Sequence, residues 1–142
     1  MTALYTANAT ATGGRNGTAK TDDGKIDVTL SPPGGNGAGT NPEQLFATGY
    51  AGCFGGAVAF AAKQQGLEVG DVTVTSHVTL NKDEATGFSL TVALDVALPS
   101  LDQTTAEKIV TAGHGICPYS KAIKGNVTVT TTVNGHQLAN AA

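Results

Sequence analysis

The chain has 142 residues, 8 lysines and arginines together, a formal net charge of -3, 13% charged residues and 19 glycines. That length fits a single domain, residues 1–142, whose core needs no disulfide staple, and the lack of a basic run leaves no footprint for nucleic acid or an anionic membrane. The stretch Met1-Thr2-Ala3-Leu4-Tyr5-Thr6 has neither the basic nor the apolar block of an export signal, so the expected compartment is the reducing cytoplasm.

In chain order, Leu4 to Ala11 alternates weakly, and Gly17 to Lys20 and Lys25 to Leu30 flank the turn signal Asp22-Asp23-Gly24, predicting a small antiparallel sheet. Pro32 to Gly39 is loop, because proline and glycine oppose both regular structures. Its resemblance to a phosphate-binding loop fails for want of a following lysine.

Asn41-Pro42-Glu43-Gln44 combines a capping side chain, proline at the first helical position, an acid in the first turn and a capping-box glutamine. With Gly66 as the stop, the helix spans about 24 residues, or about 36 Å. Residues 44–62 carry no charge, but glycine and alanine dominate and flanking anchors are missing, so a buried central helix is expected rather than a membrane span. Gly49, Gly52, Gly55 and Gly56 cost helix propensity, which predicts the close approach of another backbone.

Val72 to Leu80 and Phe88 to Leu98 alternate cleanly about Asp83-Glu84-Ala85-Thr86-Gly87 and read as a long hairpin, with Phe88 and Leu80 on the apolar face. Thr105 to Gly113 and Pro118 to Lys124 read as short helices, and Val127 to Val133 as a last strand. The expected order is β-β-β-α-β-β-α-α-β, an α+β domain with antiparallel sheets packed on the long helix. So few charges predict that a second copy covers part of the surface.

The two cysteines occupy unlike settings. Cys53 lies among small residues that leave its sulfur reachable, and Cys117 precedes Pro118 at a helix start, where the dipole favours thiolate. Each is a fair nucleophile, and residue pattern does not choose between them. At 100° per residue, Glu43, Phe46, Tyr50, Cys53 and Ala57 share one face, an arrangement that plain core packing also explains. Glu43 and Cys53 are ten residues apart, about 15 Å along a straight helix, too far for direct contact. Closing that gap takes either an arginine bridge or a second protomer, and the homodimer is favoured. The sole arginine, Arg15, is bracketed by glycines in Gly13-Gly14-Arg15-Asn16-Gly17; it suits a bidentate pair with Glu43 and stabilisation of a thiolate. A zinc site from His114, Cys117 and Cys53 is a weaker reading, since no CxxC is present. His77 and His136 read as ordinary strand and tail residues.

Four blocks carry a family resemblance: Gly13-Gly14-Arg15-Asn16-Gly17, Gly39-Thr40-Asn41-Pro42-Glu43-Gln44-Leu45-Phe46-Ala47, Gly49-Tyr50-Ala51-Gly52-Cys53-Phe54 and Cys117-Pro118-Tyr119-Ser120. Together they resemble the organic hydroperoxide resistance (Ohr) proteins of the Ohr/OsmC superfamily. The resemblance implies an intertwined homodimeric thiol peroxidase working without metal, haem or flavin. It implies that Cys53 is peroxidatic and Cys117 resolving, that Arg15 and Glu43 activate the thiolate, and that a Cys53–Cys117 disulfide is reopened by a dithiol, in this family a protein-bound dihydrolipoyl group. Phe46, Tyr50, Phe54 and Tyr119 are the expected apolar lining for an organic peroxide. Gly52 stands where the family often has Ala, and Lys121 where Asn is frequent. An OsmC-type member, a redox-switched binding protein and a zinc module are the competing readings; Gly49-Tyr50 and Pro118-Tyr119 favour the Ohr branch.

Overall fold

The structure, a computed structural model, describes residues 1–139. Residue contacts divide the chain into two compact units, Met1–Leu45 and Phe46–Ala142.

The first unit is a three-stranded antiparallel meander of β1 (Ala9–Thr12), β2 (Thr18–Thr21) and β3 (Asp27–Thr29). β1 is shorter than the alternation from Leu4 suggests, because its pairing with β2 runs only from Ala9↔Thr21 to Thr12↔Thr18, and Leu4 and Tyr5 are exposed. The β2–β3 turn is held by Asp23, whose Oδ1 accepts from the Lys25 N–H at 3.0 Å and from the Thr21 hydroxyl at 2.7 Å. Between β1 and β2 a single 3-10 turn, Gly14–Asn16, displays Arg15. Gly17 closes it and must be glycine, since a Cβ there would lie 1.7 Å from the Thr12 carbonyl oxygen.

The long helix α1 runs Pro42–Gln64. Its start forms as the sequence predicts: Asn41 Oδ1 accepts from the Gln44 N–H at 2.9 Å, occupying one of the free donors of the first turn. The helix is long and apolar enough to cross a membrane by length and composition, with a third of that stretch buried. Tyr50, Phe54, Ala57, Val58, Ala61 and Ala62 form its buried face, so α1 is buried along one side rather than all round.

In the second unit, β4 (Thr73–Asp83) and β5 (Gly87–Ala97) form the long hairpin in unbroken register from Thr73↔Ala97 to Asp83↔Gly87. Then come α2 (Gln103–Ile116), α3 (Pro118–Ile123), β6 (Thr128–Val133) and a two-residue β7 (His136–Gln137), giving the sheet order β4-β5-β6-β7. Three expectations are corrected. The sheet is mixed, because β6 pairs parallel to β5 from Thr91↔Thr128 to Val96↔Val133; the α2–α3 crossover supplies the length that a parallel connection needs. His136 lies in a strand, β7, turned back through Asn134 (φ 49°) and Gly135 (φ 84°), so Asn-Gly is the hairpin signal in the sequence. Phe88 is 72% exposed and Leu80 38%, because the hairpin tip runs past the core; Lys82 Nζ lies 5.9 Å from the Phe88 ring centre.

The core joins Tyr50, Phe54 and Val58 of α1, Val92, Leu94 and Val96 of β5, Ala106, Ile109 and Val110 of α2, and Val133 of β6. α2 is longer at both ends than expected. Asp102 caps its start by accepting from the Thr105 N–H at 2.9 Å, and Gly113 continues the helix rather than ending it. A Cβ on Gly113 would lie 2.9 Å from Val58 Cγ2, so the glycine lets α2 close onto α1.

Candidate active site

The α2–α3 junction brings the second thiol to the first. Helix α2 ends at Ile116, Pro118 opens α3 with its φ preset for a helix start, and Cys117 stands between them in extended conformation. Its Sγ–H points at Cys53 Sγ, 3.5 Å away, although the two residues are 64 positions apart in the chain. Both thiols are free; Cys53 is half-buried and Cys117 fully buried. Covalent S–S contact is about 2.0 Å, so a disulfide needs the sulfurs to close by only about 1.5 Å.

The helix start serves a different sulfur from the one expected. Cys117 makes no side-chain cap bond, whereas the backbone N–H of Tyr119, in the first turn of α3, favours the thiolate of Cys53. Burial pushes the Cys53 thiol above its ordinary pKa. The Tyr119 N–H opposes that shift, and the adjacent Cys117 adds to it. Within this unit the surroundings disfavour the Cys53 thiolate, which a nearby cation would favour.

The aromatic residues expected as lining do gather. Phe46 meets Tyr50 edge-on with ring centres 6.1 Å apart and Tyr119 at 5.9 Å, and Tyr50 lies 6.2 Å from Phe54 and 5.7 Å from Tyr119. Gly49 makes room for a ring rather than a backbone: a Cβ there would lie 2.6 Å from the Tyr119 hydroxyl oxygen. Gly52 and Gly56 would meet nothing within 4 Å and Gly55 would make ordinary contact with Val74, so no close backbone approach accounts for them among the described residues.

In the first unit Arg15 and Glu43 form a fork. Nη1 donates to Oε2 at 3.0 Å and Nη2 to Oε1 at 2.6 Å, with 48% of the arginine side chain but only 11% of the glutamate exposed. The guanidinium holds the Glu43 carboxyl below its usual range, and Glu43 in turn raises the Arg15 pKa. Glu43 thus does more than complement the helix dipole, and Arg15 is not simply solvated. A bidentate pair leaves the guanidinium oriented, with donors to spare.

A buried polar chain beside the thiols was not anticipated from the sequence. Tyr50 OH and Ser120 Oγ are 2.8 Å apart, His114 Nδ1 and Ser120 Oγ 3.0 Å, and His114 Nε2 and Thr131 Oγ1 3.0 Å. His114, weighed above as a zinc ligand, has both ring nitrogens engaged in this way. Burial pushes its pKa down to about 4, and the Phe54 ring lies 4.3 Å from its own. The Cys-Pro-Tyr-Ser block contains Ser120, but Thr131 gives no local sign of its partner.

The chain is thus an α+β protein whose two distant cysteines meet as free thiols. The OsmC-like protein family model matches residues 34–132, and the chain belongs to that family. It is 46% identical over 135 residues to the organic hydroperoxide resistance protein of Xanthomonas axonopodis pv. citri, covering 92% of this chain and 94% of that one. It is 48% identical over 131 residues to OhrB of Bacillus subtilis, covering 89% and 96%. The crystal structure of Bacillus subtilis OhrB superposes with a TM-score of 0.88 at 47% identity, over 92% of this chain and 99% of that one. An organic hydroperoxide resistance protein OsmC from Legionella pneumophila superposes with a TM-score of 0.88 at 47% identity, over 93% and 98%.

Proposed function

We propose that this chain is a cysteine-based peroxidase that reduces organic hydroperoxides to alcohols and so confers organic peroxide resistance. The observation that carries the reading is the 3.5 Å approach of two free thiols, the more accessible of which, Cys53, packs in the same cluster as Phe46, Tyr50 and Phe54. The names of the relatives above support the substrate class.

In the proposed cycle the Cys53 thiolate attacks one peroxide oxygen. The O–O bond breaks, an alcoholate leaves and takes up a proton, and Cys53 becomes a sulfenic acid. The Cys117 thiol then attacks that sulfur, forming the disulfide and releasing water. A dithiol, for which a protein-bound dihydrolipoyl group is the candidate, returns both cysteines to thiols and is itself oxidised to a disulfide. Arg15, oriented by Glu43, is assigned the stabilisation of the thiolate, since burial and the adjacent Cys117 hold the Cys53 pKa up. Phe46, Tyr50, Phe54 and Tyr119 are assigned to the peroxide's organic group. The working form is a homodimer in the cytoplasm. The low share of charged residues, 13%, supports a surface partly covered by a second copy.

The test is intact-mass analysis after one equivalent of an alkyl hydroperoxide, on the parent, Cys53→Ser and Cys117→Ser. The parent should lose two hydrogens, Cys53→Ser should not react, and Cys117→Ser should gain oxygen at Cys53. With excess hydroperoxide and dihydrolipoamide the parent should turn over repeatedly. Peroxide consumption by Cys53→Ser at the parent's rate would end the assignment, and a single stoichiometric oxidation would mark a redox switch instead.

A further inference from the structure

In the buried chain Tyr50–Ser120–His114–Thr131 only the Tyr50 ring has a part in the cycle above, as lining; the hydrogen bonds have none, yet they tie together the two turns that carry the thiols. Tyr50 stands three residues before Cys53 on α1, and Ser120 three residues after Cys117 on α3, so each lies one helical turn from its cysteine. Their hydroxyls meet at 2.8 Å across 70 residues of sequence. Ser120 is then fastened through His114 on α2 to Thr131 on β6. Tyr50, Ser120, His114 and Thr131 are 0%, 5%, 7% and 1% exposed.

Helix α3 has six residues and no side-chain cap from Cys117, far short of the length at which a helix sustains itself. Its position against α1 must come from tertiary bonds. A neutral imidazole accepts at one nitrogen and donates at the other, so the chain runs head to tail, Tyr50 to Ser120 to His114 to Thr131 or the reverse, with each link made. Away from water, breaking a link leaves a stranded polar group, which makes the arrangement stiff.

We propose that Tyr50, Ser120, His114 and Thr131 form a clamp that holds Cys117 in line with Cys53, so that these positioning residues decide whether the Cys53 sulfenic acid closes to a disulfide or is oxidised further. The proposal rests on the peroxidase reading. Closure releases water as the S–S bond forms. In the competing reaction a second hydroperoxide gives up one oxygen to the sulfenic acid, yielding sulfinic acid and a second alcohol. A loosened α3 slows the first, intramolecular reaction while the second continues.

The experiment is a titration of the reduced full chain with tert-butyl hydroperoxide, reading the ratio of disulfide to sulfinic product by intact mass. Parent, Tyr50→Phe, Ser120→Ala and the double variant are compared, with thermal unfolding as a check on folding. This ratio is set after the sulfenic acid has formed, so slower first attack does not move it. Tyr50→Phe should lower the ratio about fivefold to tenfold, the range expected for one buried hydrogen bond, and Ser120→Ala, which also breaks the link to His114, should lower it at least as much. The double variant should fall no further than the worse single, because both remove the same link. Tyr50→Phe deletes one oxygen and keeps the ring, so it serves if Ser120→Ala does not fold. Folded single variants with the parent's ratio would overturn the clamp, as would a double variant whose effect is the product of the two singles. A parent that forms no disulfide at all would instead overturn the peroxidase reading and the clamp with it.

Discussion

Mild acid should destabilise this protein through one residue, His114. In the fold its imidazole is buried and its pKa is pushed from the ordinary 6.5 down to about 4, with burial as the cause. The folded value lies below the unfolded one, so between the two the unfolded chain binds more protons. The contribution of neutral His114 is therefore complete above the unfolded value and is lost as pH falls toward 4. From about pH 8 to about pH 5 the loss comes to about 2 kcal/mol for one such group. Asp23, Glu43, Asp83, Asp95 and Asp102 all have carboxyls held below their usual values, so their losses come at lower pH, outside this window. Urea denaturation of reduced parent and His114→Gln at the two pH values measures the effect. The variant should start less stable, having given up its hydrogen bonds, but should lose about 2 kcal/mol less across the window. His77 and His136 are common to both proteins, so the difference belongs to His114. Equal losses in parent and variant would refute the assignment of a buried neutral imidazole.

Arg15→Lys keeps the charge but removes the fork to Glu43, so peroxide consumption at neutral pH should fall roughly tenfold and recover as pH rises and the thiol ionises unaided; an unchanged pH profile would count against Arg15 as the activating cation. Gly17→Ala drives a methyl group into the Thr12 carbonyl and must open the turn that carries Arg15, so turnover should drop with it, and a variant with the parent's turnover would disprove the need for that turn. Asn134 accepts from the Leu98 N–H at 2.7 Å and donates to the Leu98 carbonyl at 3.1 Å, and its φ is positive at 49°. Asn134→Ala should cost about 2 kcal/mol in urea denaturation, and Asn134→Gly should keep most of that loss, because glycine relieves the dihedral but not the missing bonds.

Local signals in this chain were strong where the physics is local. The α1 start was legible at Asn41-Pro42-Glu43-Gln44 because capping acts within one turn, and the β4–β5 hairpin was legible because alternation records a buried face. The Arg15–Glu43 pair was readable as chemistry, from a single arginine between glycines and an acid at a helix start. Harder to read was whatever depends on what lies opposite. Phe88 alternates correctly yet faces solvent, since no periodicity says where the core stops. Gly113 looks like a helix stop until Val58 is found against it, and Asn134-Gly135 passes for tail until β6 supplies two residues to pair with.

The cysteines show the same division. Sequence alone set the two thiols in unlike local settings and, through four matching blocks, showed which family they resemble. It left Cys117 as the thiol at a helix start. Only the tertiary structure decided that the Tyr119 N–H of α3 favours the Cys53 thiolate instead, that the sulfurs lie 3.5 Å apart, and that His114, Ser120, Thr131 and Tyr50 join in one buried chain. A hydrogen bond between residues 70 positions apart leaves no periodic trace, because its partners are chosen by packing rather than by neighbours in the chain.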